Sequence, residues 1–496
     1  MSGVLQSSFK SLSVTMAPST MLKHSLCLLA VAIAAQSAPT DKANGLRNAS
    51  CRFMPTDPEW PSAKTWDALN KTVHGQLIAT VPIAAPCHDS TAPKGGLSRN
   101  WPAYDEQKCT DLQERWLEPE LQCVLQHIRS YHAPTDDHSD ADPTSIMAPF
   151  FLGETTCNPF QPRAASCQIG VYSQYSINVT SSADVAAGLK FAQDNNIRLV
   201  IHNTGHDFAG KSSGAGSLSL WMHNLKDIEF IHWGDEHYTG KAVRIGAGVQ
   251  GFEVNAAAHA QGLQVVTGEC PTVGVAGGYT QGGGHSALSS RHGMAADQAL
   301  QYEVVVPSGE VLIANRARNS DLYWALSGGG GGTYGVVLSL TSKAHPDVPT
   351  SGANLTFTSE NVDPDVYYSA IETFLSSLPA SADAGVMSVF YFTSTSFMIA
   401  PLTGPDVKAS QLKKFLSPLI QKLEASSITY TSHFEDFGSY LEFYEKMFAP
   451  IPVVSLPCLQ ISKFMFTFTN FTPTRASLST AEPSSRETSP STNPTT

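Results

Sequence analysis

The chain has 496 residues, 42% hydrophobic and 15% charged, which is too long for one ordinary core and leads us to expect two domains of mixed α and β structure. Its formal charge of -12 and sequence pI of about 5.7 argue against the concentrated basic surface that nucleic-acid binding requires. No basic stripe interleaved with aromatics is present.

The apolar run Leu26 to Ala35 follows Lys23 and His24 and precedes the small residues Ala34-Ala35-Gln36-Ser37-Ala38. It is too short to cross a bilayer of ~30 Å as a helix and has the order of a secretory signal, so residues 1–38 are expected to be a leader, with a spurious extension before Met16 or Met21. No later run is long and apolar enough to anchor the mature chain. Export agrees with the cysteines: Cys51, Cys87, Cys109, Cys123, Cys157 and Cys167 crowd residues 39–167, an even set that reads as disulfides. Only Cys157 with Cys167, around a short Pro-containing loop, is expected as a specific pair. Acceptor triplets at Asn48, Asn70, Asn178, Asn354 and Asn470 fit a secreted glycoprotein. The region to Gly170 is otherwise loop-rich, and the polar patch Thr135 to Asp142 reads as a solvated turn.

Order sharpens after Cys167. Tyr172 to Val179 alternates as a strand, Ser182 caps a helix over 183–194, and Ile197 to Ile201 is the next strand. The loop Asn203-Thr204-Gly205-His206-Asp207-Phe208-Ala209-Gly210 is then delivered at the carboxyl end of a strand, where α/β units place ligands. A strand Ala242 to Ile245, the turn Gly246-Ala247-Gly248-Val249-Gln250-Gly251, a helix to about Gln261 and a strand Leu263 to Val266 follow. This is a literal GxGxxG with Glu269 roughly 20 residues on. A nicotinamide site is rejected, because the next segment is glycine-dense loop and hairpin rather than further parallel βα units. Gly268 to His285 holds more glycine than a regular helix or strand tolerates, and its use is close backbone approach to something flat or phosphorylated. Gln298 to Val306 with Glu310 to Ala314 forms a hairpin, Asp321 to Leu326 a helical turn closed by Gly328 to Gly332, and Tyr334 to Leu340 a strand.

A boundary is placed after Pro346. The pattern then predicts a strand at Leu355 to Thr358, a helix over 363–378, and a hairpin of Val386 to Phe392 with Phe397 to Pro401. A helix over 406–423, a strand Ile428 to Thr431 and an aromatic helix Phe434 to Phe448 complete it. Helices on one face of an antiparallel sheet are expected. Residues 473–496 are Ser, Thr and Pro with too little apolar surface to fold.

The stretches Asn203 to Gly216, Gly268 to Ser286 and Asp321 to Val337 together resemble the berberine-bridge-enzyme-like FAD-linked oxidases of the vanillyl-alcohol-oxidase superfamily, whose FAD-binding domain is of the PCMH type. The resemblance implies an α+β fold: a two-part PCMH-type FAD-binding domain over 168–349 and an α+β substrate domain with antiparallel sheet over 350–472, incomplete at its end. It implies FAD held bicovalently, through His206 to the 8α-methyl carbon and Cys270 to ring carbon 6. Asn203, Thr204, Gly205, Asp207 and Gly210 of the first stretch and Thr272, Val273, Gly274, Gly278, Gly283 and Gly284 of the second would line the cofactor. Imidazole and thiolate are the fitting nucleophiles; the residue-level alternatives for Cys270 are a buried thiol or a disulfide with Cys458.

The implied activity is hydride transfer from an alcohol, sugar hemiacetal or amine-type carbon to flavin N5, with oxygen as acceptor and hydrogen peroxide as product. Val273 matches a site at which a small side chain admits oxygen. Two departures stand out: His202 where many relatives carry arginine, and no closing asparagine-tyrosine and Tyr-Asp-Pro segment after Cys458. The second motivates an alternative, a catalytically impaired or degenerate flavin binder. A zinc hydrolase built on His202 and His206 lacks the HExxH glutamate and a helix, so no metal is expected. The expected partners are a small-molecule substrate and oxygen. No catalytic base is assigned, although Tyr391, Glu442 and Tyr444 lie in segments able to cover the flavin.

Overall fold

The computed structural model describes residues 51–89, 101–116, 143–144 and 156–448. It divides into a unit of residues 1–52, of which only Cys51 and Arg52 are described, and a unit of residues 53–496, to which everything below belongs. The expected leader, the polar patch 135–142, Cys123, Cys458 and the tail 473–496 lie outside the described residues.

The amino-terminal third is more regular than its composition led us to expect. Ser62 caps a helix Ala63–Thr72, which delivers Trp66 onto Tyr175 with ring centroids 4.1 Å apart. Two disulfides, Cys87–Cys109 and the expected Cys157–Cys167, close a separate core around Trp116 and Tyr172. Four strands follow in the order β1-β2-β4-β3: β1 (Leu77–Ala79), β2 (Tyr175–Asn178), β3 (Arg198–His202) and β4 (Ser217–Trp221). β4 lies parallel to both β2 and β3, as a strand-helix-strand crossover requires. The crossover helix runs Ser182–Asp194, and its N-cap is Ser181 rather than Ser182, because Asp184 returns a capping-box contact to Ser181.

The next sheet is wholly antiparallel, in the order β5-β6-β10-β8-β9. It comprises β5 (Ile228–Gly234), β6 (Thr239–Gly246), β8 (Ala299–Val305), β9 (Val311–Asn315) and β10 (Val336–Lys343). Short β7 (Leu263–Gln264) pairs with β11 (His345–Pro346). The fourth sheet, β13-β14-β12-β15, is also antiparallel: β12 (Thr350–Thr358), β13 (Met387–Phe392), β14 (Ser396–Pro405) and β15 (Tyr430–Phe437). This mixed α+β arrangement is the one expected of a PCMH-type domain followed by a substrate domain.

Helices Pro364–Asp383 and Ala409–Ala425 cover one face of the fourth sheet. Leu412, Leu416, Leu419 and Leu423 recur at helical spacing and pack on Leu355, Phe397 and Ile399. Two expectations are corrected here. Phe434 to Phe437 is strand, because β15 pairs with β12 over eight positions, and the helix begins only at Tyr440. That helix lies on the opposite face from the other two, where a Cβ on Gly352 would come within 3.0 Å of Phe443 and Met447.

Candidate functional site

β3 ends at buried His202, whose Nδ1 lies 2.9 Å from the carbonyl of Ser212. The loop beyond turns at Gly205, Gly210 and Gly216, whose φ values of 72°, 66° and 64° suit glycine. Asn203 donates from Nδ2 to the carbonyl of Ala247 at 2.6 Å, and Thr204 Oγ1 accepts the amide of Gly274 at 3.2 Å. His206 Nε2 lies 2.7 Å from the hydroxyl of Thr272. Asp207 stays within its own loop, accepting from the hydroxyl of Ser212 and the backbone amide of Lys211. His202 and His206 thus turn to different partners, which is not a shared metal geometry. Among the described residues no cluster of His, Cys, Asp and Glu could hold a metal ion.

The second glycine stretch is threaded against this loop. A Cβ on Gly274 would stand 2.2 Å from Oδ1 of Asn203, and one on Gly277 would stand 2.6 Å from its Nδ2. One turn of π-helix, Val275–Tyr279, interrupts the expected loop and breaks at Gly277. The third stretch closes from the other side. The amide of Gly330 donates to Gln281 O at 2.8 Å, and a Cβ on Gly331 would touch the Cα of Gly278 at 2.7 Å. Three segments separated in sequence by more than thirty residues therefore converge at one place.

That place has the properties of a cofactor cradle. A Cβ built on Gly278, Gly283 or Gly328 meets no atom within 4 Å, so these glycines border open space. Two buried acceptors, Asn203 Oδ1 and Gln281 Oε1, have no hydrogen-bond partner, which is costly unless something else supplies one. Burial pushes the His206 imidazole down to about 4, against the opposing charge of Asp207, so the ring is neutral and nucleophilic near neutral pH. Cys270 is disulfide-bonded. A sulfur so engaged is not the thiolate that a flavin thioether needs.

The GxGxxG turn does a different job. Its amides are consumed internally: Gly246 donates to Asp227 O, Ala247 to Leu338 O, Gly248 to Leu225 O and Gly251 to Val273 O, at 2.8–3.0 Å. Cβ atoms on Gly246 and Gly248 would meet the carbonyl oxygens of Leu225 and His223 at 2.3 and 1.9 Å. The glycines serve close packing and leave no amide for a pyrophosphate. Gln250 Nε2 instead donates to Thr272 O at 2.8 Å, supporting the loop that holds His206.

Glu269, the acid that completed the dinucleotide pattern, goes elsewhere. Its Oε1 lies 3.2 Å from Nδ1 of His285, a pairing with no signal in the sequence beyond their shared glycine stretch. Of the three candidate bases, Tyr391 on β13 is pushed up to about 12 by burial and by the charge of Glu269. Tyr444 is buried with its hydroxyl 3.4 Å from Gly268 O. Glu442 is exposed and accepts the amide of Gly438 at 2.8 Å, so it belongs to the start of its own helix.

Comparison with known proteins agrees with this cradle. An FAD-binding-domain family matches residues 173–315, which span the first two stretches. The FAD-linked oxidoreductase sor8 of Hypocrea jecorina is 43% identical over 425 residues, covering 86% of this chain and 68% of that protein. This chain belongs to the FAD-linked oxidoreductases of the vanillyl-alcohol-oxidase type. The FAD-linked oxidoreductase ZEB1 of Gibberella zeae is 44% identical over 405 residues, 82% of this chain. The chain spans 66% of that relative's length. The crystal structure of the VAO-type flavoprotein MtVAO615 of Myceliophthora thermophila superposes with a TM-score of 0.72 at 42% identity, covering 81% of this chain and 69% of that one. The family's cofactor is FAD, and the open space, the unpartnered acceptors and the neutral imidazole all fit it. Among the described residues no helix is long and apolar enough to cross a membrane.

Proposed function

We propose that this protein is an FAD-linked oxidase of a small molecule, taking hydride from an alcohol, sugar hemiacetal or amine-type carbon and using oxygen as acceptor to give hydrogen peroxide. The observation that carries the proposal is the packing of the three glycine stretches against one another beside His206, whose half-buried imidazole is neutral. Bound FAD would supply the hydride acceptor at N5 and the route of electrons to oxygen. Of this chain's residues, His206 would tether the flavin at the 8α-methyl carbon, with Thr272 orienting its ring. Asn203, Thr204, Gly205, Asp207 and Gly210 would form one wall and Thr272, Val273, Gly274, Gly278, Gly283 and Gly284 the other. We read residues 168–349 as the flavin domain and 350–472 as the substrate domain. Half-buried Val273 would leave room for oxygen. Two disulfides in the amino-terminal region support an exported protein.

The disulfide at Cys270 favours a second reading of the attachment, in which His206 is the sole tether. Acid denaturation of the purified protein tests both. Yellow chromophore that stays with the polypeptide in wild type and leaves it in His206→Ala establishes a single histidyl link; retention in His206→Ala until Cys270 is also replaced establishes two. Chromophore lost from the wild type ends the covalent reading, and no peroxide from any member of a panel of sugars, alcohols and amines ends the oxidase reading.

A further inference from the structure

The flavin reading makes no use of the pair Glu269 and His285. Glu269 has a side chain only 13% exposed, and its carboxylate holds Nδ1 of His285, whose side chain is 71% exposed. Among the described residues Nε2 of that ring has no partner. The pair is also anchored from behind, because Tyr279 donates its hydroxyl to the carbonyl of His285 at 2.9 Å.

Its surroundings are those of an acid-base site rather than of a surface ion pair. The charged and titratable groups around Glu269 come from three elements: Tyr279 in the glycine stretch, Tyr391 on β13, and Tyr440 and Tyr444 on the helix Tyr440–Met447. All four hydroxyls are held neutral by burial and by the Glu269 charge. Tyr391 shares its face of β13 with Val389, which packs against the aromatic cluster of that helix, whereas Phe390 packs into the opposite core. The pair therefore lies between the second glycine stretch and the fourth sheet. His285 directly follows Gly283 and Gly284, and Gly283 borders the open space of the cradle.

We propose that His285 is the base that takes the substrate's hydroxyl proton in the oxidation described above, on which this inference rests, and that Glu269 is its positioning residue. The substrate O–H bond breaks toward Nε2 of neutral His285, giving imidazolium. The oxygen keeps that electron pair and closes the C=O bond, while the hydrogen on carbon leaves with two electrons to the FAD. Glu269 raises the basicity of His285 through the Nδ1 contact, the role that a buried carboxylate behind an imidazole plays in general-base catalysis.

The test uses flavin-loaded wild type, Glu269→Gln and His285→Gln. In an NMR titration, the His285 resonance, assigned by its loss in His285→Gln, is expected to titrate above an ordinary histidine in wild type and to move back in Glu269→Gln. Anaerobic flavin reduction by 1-butanol, benzyl alcohol and glucose is followed against pH in parallel. The base must be neutral, so the rate falls as pH drops through the His285 pKa, and this acid limb should shift to lower pH in Glu269→Gln. His285→Gln should slow reduction by about 100-fold or more at unchanged flavin content. Reduction of His285→Gln at the wild-type rate overturns the proposal, as does an identical His285 titration in wild type and Glu269→Gln. Wild type that binds flavin but is reduced by none of the sugars, alcohols and amines tested overturns the proposed oxidase itself, and the titration then still decides the pair.

Discussion

At Gly274 the constraint is steric and local to two atoms. A methyl group there would stand 2.2 Å from Asn203 Oδ1, and Asn203 cannot swing aside without giving up its bond to Ala247 O. Gly274→Ala is expected to cost about 1–3 kcal/mol through overpacking and to lower flavin content, measured by thermal melting and by the ratio of flavin to protein absorbance. Gly278→Ala, with nothing within 4 Å of its Cβ, should leave the melting temperature nearly unchanged and reduce flavin content alone. The pair of variants separates packing from cofactor approach. Glycine at these positions was legible as a need for close approach. Which glycine faces protein and which faces open space was not, since the sequence carries no record of Asn203 lying beside Gly274.

Among the elements, β7, β11 and the short helix Ser289–His292 meet at a stacked histidine pair. The rings of His292 and His345 lie 3.8 Å apart at 14°, and both are pushed down to about 4, first by burial and then by neighbouring charge, from Arg291 on His292 and from His292, Lys343 and Arg291 on His345. A histidine depressed on folding binds fewer protons in the native than in the unfolded chain between the two pKa values. Stability is therefore fully present above the ordinary histidine value of 6.5 and is lost as pH falls from there toward about 4. Urea midpoints measured at steps from pH 7 to pH 4 should fall steadily, and the fall should be shallower in His345→Gln, which retains a polar partner for Gln298. The strand β15 makes a related point about pattern. Phe434, Phe437, Tyr440, Phe443 and Tyr444 have helical spacing, yet pairing with β12 takes the first two into a strand. The overlooked signal was Ser439 with Glu442 three residues on, a helix-start signature, and the structure bears it out with Ser439 Oγ accepting the amide of Glu442 at 3.1 Å.

Across the described residues, two kinds of contact join the fourth sheet and the helix after it to the segments flanking the second glycine stretch, and magnitudes decide between them. Arg291 donates to Pro405 O at 2.9 Å and pairs with Asp406 at 3.6 Å, but that carboxylate is 63% exposed. Solvent screening limits such a pair to about 0–1 kcal/mol. The aromatic cluster of Phe437, Tyr440, Phe443, Tyr444 and Phe448 is buried against Val266, Ala287, Leu288 and Ala295. Phe443 is fully buried, with Phe437 and Phe448 edge-on at 5.7 and 5.6 Å. Phe443→Ala should cost about 3–5 kcal/mol in denaturant unfolding, whereas Arg291→Ala should stay below about 1 kcal/mol. Equal losses would show that the ion pair holds the two regions together.

Strand and helix periodicity, the three glycine stretches, His206 at a strand's carboxyl end and the Cys157–Cys167 pair could all be read from the sequence. Each is a local property: side-chain spacing, glycine density, or a short loop between two cysteines. The sequence already set aside a nucleotide role for the GxGxxG turn; tertiary structure alone showed what holds it, carbonyls of Leu225, Asp227, Leu338 and Val273 that take its amides. It alone placed Glu269 beside His285. A donor or a carboxylate has a fixed chemistry in the sequence, but its function depends on which partner reaches it first, and that is settled only when remote strands pack.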